Sequence, residues 1–134
     1  MSITYRSDVR IAVDDFIDVL SRSTLGERRP IHDKERMQKM LDHANVIVTA
    51  WSDNLLVGIS RAVSDFSFCC YLSDLAVDVN FQHQGIGKEL IKRTHEAAGF
   101  ETQLILLAAP KAVNYYPRIG MKRFEHCFVE DRKV

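Results

Sequence analysis

The stretch Gln82-His83-Gln84-Gly85-Ile86-Gly87-Lys88 carries residue types that can hold an anion. Before it, Leu72, Leu75, Ala76, Val77 and Val79 form an apolar run that suits a buried strand. After it, Ile86, Leu90, Ile91, Thr94, Ala97 and Ala98 recur with helical spacing. Gly99 is placed to end that helix in the left-handed conformation. The first turn of a helix has N–H groups with no helical partner, and its dipole adds partial positive charge. Glycines let a phosphate approach that backbone without a Cβ in the way. The free donors here are the amides from Gln84 to Lys88. The Walker A pattern fails, because Glu89 follows Gly87-Lys88 and position 82 is Gln. The dinucleotide pattern G-x-G-x-x-G fails as well, because its third glycine would be Leu90.

A second segment, Ala112-Val113-Asn114-Tyr115-Tyr116-Pro117-Arg118-Ile119-Gly120-Met121, sets two tyrosines and an asparagine together. The first segment fits Gln/Arg-x-x-Gly-x-Gly/Ala through Gln82, Gly85 and Gly87. The second is similar to A-x-x-F-Y-x-x-x-G-F, with Tyr115 for the first Phe and Met121 for the last. Together they resemble the GNAT superfamily of acetyl-CoA-dependent N-acetyltransferases. The resemblance implies that acetyl-CoA sets its pyrophosphate on the loop from Gln82 through His83, Gln84, Gly85 and Ile86 to Gly87 and Lys88. It implies a pantetheine arm lying between two splayed strands, bonded to the main chain of Leu75, Ala76 and Val77 like an added strand. It places Tyr116 at the leaving thiolate and Asn114 at the pantetheine arm. No metal is implied. As plain structural residues, Tyr116 would be a core aromatic, Asn114 a helix cap and His83 a solvated loop residue.

The implied reaction is direct attack of an amine on the thioester. Making a lysine-like amine neutral at pH 7 costs roughly 4–5 kcal/mol. A base or a carbonyl-lined water path must therefore help. Asp74, on the strand beside the cofactor gap, is the expected catalytic carboxylate; its other reading is a hydrogen-bonded structural carboxylate. The loop Thr24 to Ile31 falls where relatives of this superfamily place substrate-facing residues. It carries the charged trio Glu27, Arg28 and Arg29. Paired guanidinium groups match carboxylate or phosphate, so Arg28 and Arg29 point to a small-molecule amine that also bears an anionic group. Otherwise they are two solvated arginines. Two rival functions stay open: a protein-lysine or N-terminal acetyltransferase, and a non-catalytic acyl-CoA-binding module. A homodimer is expected by analogy with relatives.

These segments need a frame. The chain of 134 residues is read as one acetyltransferase-like domain over residues 1–134. Its 18 Lys and Arg balance 18 Asp and Glu, which gives no field for nucleic acid or an anionic membrane surface. The three cysteines match no disulfide framework and no zinc spacing. With no signal-like N-terminus, a cytoplasmic home is expected. Periodicity predicts the order β-α-α-β-β-β-α-β-α-β-β, an α/β fold with a mixed sheet of about six to seven strands. Thr102 to Ala109 reads as a central strand covered on both faces, and Gly120 to Val129 as one or two final strands. This order also resembles the three-layer GNAT fold.

Overall fold

The computed structural model describes residues 2–134. Its regular elements are β1 (Thr4–Arg6), α1 (Val13–Ser23), α2 (Lys34–Asp42), β2 (Val46–Ser52), β3 (Leu55–Ser64), β4 (Cys69–Val77), α3 (Ile86–Ala98), β5 (Gln103–Leu106) and α4 (Tyr115–Arg118). Short 3-10 turns lie at Leu25–Arg28, Val79–Phe81 and Pro110–Ala112. The strands make one mixed sheet in the order β1-β2-β3-β4-β5. β1 to β4 pair antiparallel, and β4 pairs β5 in parallel across the α3 crossover.

Helical spacing gives each helix its buried stripe. Phe16, Val19 and Leu20 of α1 and Met37 and Leu41 of α2 pack on Leu56, Ile59 and Ala76. Ile86 and Leu90 of α3 pack on the opposite face, against Val48, Ala50 and Val57. Burying one such side chain contributes about 1.5–3 kcal/mol, so helices packed on both faces fix the sheet between them. The predicted Asp33 N-cap forms, its carboxylate accepting from the Arg36 amide at 3.1 Å.

Two expectations fail at the end of the sheet. The sheet has five strands, not six or seven. β5 is a four-residue edge strand rather than a central one, with Ile105 and Leu107 about half exposed. Its apolar run had pointed to cover on both faces, but only one face receives it. No strand follows β5 among the described residues. Phe124, Phe128 and Val129 stay exposed, so no burial offsets the entropy of ordering a strand there.

A bulge in β4 decides which side chains face the site. Leu72 pairs with Ala62 and Asp74 with Arg61, leaving Ser73 as the extra residue. The extra residue reverses the alternation, so Leu72 belongs to the α3 side while Asp74 lies on the α1–α2 side. There Asp74 is fully buried between two guanidinium groups, Arg29 Nε on Oδ1 and Arg61 Nε on Oδ2. Arg61 also donates to the Met40 carbonyl at 3.1 Å and to Ser73 Oγ at 3.1 Å. Asp74→Ala would leave two guanidinium groups without their shared carboxylate. Removing one partner of a buried pair costs about 3–5 kcal/mol, so the unfolding free energy from denaturant titration should fall by that amount. An unfolding free energy within about 1 kcal/mol of the parent would show that the network contributes little.

Candidate active site

β4 and β5 run together only from Cys69↔Gln103 to Leu72↔Leu106. β4 continues to Val77, while the chain after Leu106 turns away towards Pro110. The expected splay is therefore present, and it opens directly at the Ser73 bulge. Asp78 N–H donates to the Val57 carbonyl at 2.8 Å, which sets the phase of the β3–β4 ladder. In that phase the main chain of Ala76 bonds β3, and that of Leu75 and Val77 turns outward to the gap. At one end of the gap the Gln82 side chain donates to the Val77 carbonyl at 3.1 Å. At the other, Arg29 Nη2 donates to the Ser73 carbonyl at 2.8 Å. Leu75 between them keeps an open edge for an added strand.

A cavity of about 1000 Å³ occupies this gap. Ser73, Leu75 and Val77 form one wall, and Leu106, Leu107 and Pro110 the other. Gly85, Ile86, Gly87 and Lys88 close one end. The first helical bond of α3 runs from Glu89 N–H to the Gly85 carbonyl at 3.1 Å, so the amides before Glu89 lie ahead of the helical ladder. His83 has φ 66° and Gly85 φ 81°, two left-handed residues that bend the loop into the start of α3. His83, Lys88 and Lys111 add basic side chains to the wall around them.

Gly87 fits a close approach for a second reason. A Cβ built there would lie 2.8 Å from the Tyr115 hydroxyl oxygen. The two motifs thus meet in space, with Tyr115 Oη over Gly87. Burial pushes the Tyr115 phenol above its ordinary pKa, and the facing Lys88 backbone amide partly offsets this. Tyr116 stands edge-to-face against Tyr115, ring centroids 5.2 Å apart, and also lines the cavity. Burial, then the neighbouring Tyr115, raise its pKa, so Tyr116 is a neutral phenol at pH 7.

Other expected residues fall outside this arrangement. Asp74 does not line the cavity, and both its oxygens are held by guanidinium groups on the far face of the sheet. It is placed as a structural carboxylate, not as a base. Arg29 reaches the wall, but its guanidinium is engaged by Asp74 and Ser73, so the side-by-side arginine fork does not exist. Arg28 alone remains exposed on the wall. Gln84 and Asn114 are exposed and their side chains lie off the wall; Asn114 makes no capping bond either. Sequence reasoning passed over Tyr115, Ser73, Lys111 and Glu27, which do line the cavity. Glu27 had a signal, as a member of the charged trio in the substrate-facing loop.

Residues 19–132 match the model of the Acetyltransferase (GNAT) domain family. Among curated proteins, the chain is 29% identical over 99 residues to the uncharacterized N-acetyltransferase ycf52 of Gracilaria tenuistipitata var. liui, covering 69% of this chain and 53% of that protein. The chain spans little more than half the length of such curated relatives. Among solved structures, an acetyltransferase from Deinococcus radiodurans R1 superposes with a TM-score of 0.74 at 24% identity, covering 96% of this chain and 87% of that one. Aminoglycoside N-acetyltransferase AAC(6')-Iy in complex with CoA gives a TM-score of 0.74 at 14% identity, covering 99% of this chain and 96% of that one. At these identities the two structures speak for the fold.

Gly87→Val would set a Cβ 2.8 Å from the Tyr115 hydroxyl oxygen, so the ring must shift against the α3 amides and disturb their contact with an arriving phosphate. Losing one such charge-assisted contact costs about 1.5–3 kcal/mol, so CoA affinity should fall by roughly 10- to 150-fold in calorimetry. Unchanged affinity in a folded variant would remove the α3 N-terminus from the site.

Proposed function

The chain belongs to the GNAT acetyltransferase family, and from that premise we propose that it transfers acetyl from acetyl-CoA to the amine of a small molecule by direct attack. The single observation that carries this reading is the cavity between the parted strands, with the start of α3 at one end and Tyr116 on its wall. The likeness to an aminoglycoside N-acetyltransferase supports a small-molecule acceptor.

Acetyl-CoA would supply the activated acetyl group as a thioester. The amides ahead of Glu89, with His83, Lys88 and Lys111 near them, would hold its pyrophosphate. Gly85, whose Cβ position meets nothing within 4 Å, leaves open space beside those amides. The outward edge of Leu75 and Val77 would bond the pantetheine arm, which keeps the thioester in line with the cavity wall. Apolar residues on both walls exclude water, so hydrolysis of the thioester competes poorly with the amine.

Tyr116 would meet the sulfur as the C–S bond breaks. A magnitude decides its role. An ordinary thiol has a pKa of about 8.5 and an ordinary phenol about 10. Burial moves the Tyr116 phenol further up. Complete proton transfer from Tyr116 to the thiolate would be uphill by at least about 2 kcal/mol. The phenol therefore acts as a hydrogen-bond donor to the developing thiolate, and the proton lost by the amine neutralises the sulfur afterwards.

Release of free thiol from acetyl-CoA in the presence of an amine panel tests the activity. CoA binding without turnover of any amine would favour the non-catalytic module. Tyr116→Phe removes only the hydroxyl. A hydrogen bond to a charged group is worth about 1.5–3 kcal/mol, so kcat should fall roughly 10- to 150-fold with CoA affinity unchanged. Because the phenol titrates above its ordinary value, any alkaline limb of the parent below pH ~10 should survive in Tyr116→Phe. Parent-like turnover, measured where chemistry limits the rate, would reduce Tyr116 to a packing residue.

A further inference from the structure

The charges on the cavity wall are uneven. Arg28, Lys88 and Lys111 contribute cations, Arg29 being held by Asp74, and Glu27 is the one carboxylate among the described residues that line it. The two aspartates nearest in the fold are already spent. Asp74 lies between Arg29 and Arg61, and Asp78 pairs with Arg22. No ion pair within 4.0 Å engages Glu27 among the described residues, and its side chain is exposed at the cavity.

Glu27 is also held in place. It sits in the 3-10 turn Leu25–Arg28, which follows α1 directly. Leu25 N–H donates to Ser23 Oγ at 3.1 Å, and Ser23 Oγ donates to the Leu20 carbonyl at 2.8 Å. A Cβ at Gly26 would lie 3.1 Å from Ser21 Cα, so the turn packs tightly on the end of α1. Two residues beyond Glu27, Arg29 crosses to Asp74 and to the Ser73 carbonyl. Ser73 follows Leu72, the last β4 residue paired with β5. The turn is therefore latched beside the point where the gap opens.

Resting on the acetyltransferase reading, we propose that Glu27 is the acceptor-binding carboxylate, and that it holds a second ammonium group of an acceptor bearing at least two amines. A nitrogen held as ammonium has no lone pair to attack with, so the reacting amine is a different one. That amine loses its proton, attacks the acetyl carbon and forms the C–N bond as the C–S bond breaks. Glu27 takes no proton in this scheme; it orients the acceptor. Arg29 and Asp74 are positioning residues for the turn that carries it.

The test compares α,ω-diamines with n-alkylamines of matched length on the full chain. The parent should show higher kcat/KM for diamines, in proportion to one exposed ion pair, about three- to fivefold. Glu27→Gln should abolish that preference through KM and leave CoA affinity unchanged. Glu27→Asp should restore part of it. A parent with no diamine preference, or a Glu27→Gln enzyme that keeps it, overturns the proposal while leaving the acetyltransferase intact. A parent that binds CoA and acetylates no amine at all overturns both.

Discussion

Parallel strands that separate while still inside a sheet leave main-chain groups without a ladder. Each such buried group costs about 1–3 kcal/mol if nothing answers it. The site depends on how β4 meets that cost after Leu72. The Ser73 carbonyl is answered by Arg29 and the Val77 carbonyl by Gln82, both from loops that flank the cavity. Two side chains thus close the ends of an open edge and leave its middle, at Leu75, to an incoming ligand. The same two bonds place the loop before α3 and the turn after α1 against the cavity. Binding loops and strand separation are one arrangement.

The buried network at Asp74 belongs to that arrangement. Taking a carboxylate and two guanidinium groups out of water is expensive, and well-packed apolar residues would often be as stable. An apolar substitute could not also hold the Ser73 carbonyl, the Ser73 hydroxyl and the Met40 carbonyl. The triad joins α2, β3, β4 and the turn after α1 by directional bonds. A greasy contact would let those parts slide, and a site built on the gap tolerates displacements of only about 0.5 Å.

Much of this was legible in the chain because it is local. The glycine loop, the α3 stripe, the Asp33 cap and the hairpin between β2 and β3 each follow from a few neighbouring residues. What was not legible depends on partners distant in sequence. Asp74 lies on the strand beside the gap, as expected, but the bulged residue at Ser73 sets its side chain on the α1–α2 face. Residues 102–109 read as a covered strand because their composition is apolar, yet composition does not say that Ile105 and Leu107 stay about half exposed. Arg28 and Arg29 are adjacent in sequence, but one bends inward to a carboxylate that periodicity could not locate.

A balanced total charge hides a polarised cavity. The chain has equal numbers of basic and acidic residues. The wall is not balanced along its length: Lys88 and Lys111 lie at the end with the α3 amides, while the turn after α1 sets Glu27, the single carboxylate among the described lining residues, beside Arg28. Over distances of about a Debye length, roughly 8–10 Å, such groups are screened from each other by salt but not from a ligand lying between them. A polyanion entering the gap would be drawn to the α3 end, where no carboxylate among the described residues lines the wall. The apolar stretch formed by Leu75 and Val77 on one side and Leu106 and Leu107 on the other carries no charge to compete with that end. Orientation of an anionic ligand along the cavity then follows from where local segments place their charges, and not from the net charge that composition reports.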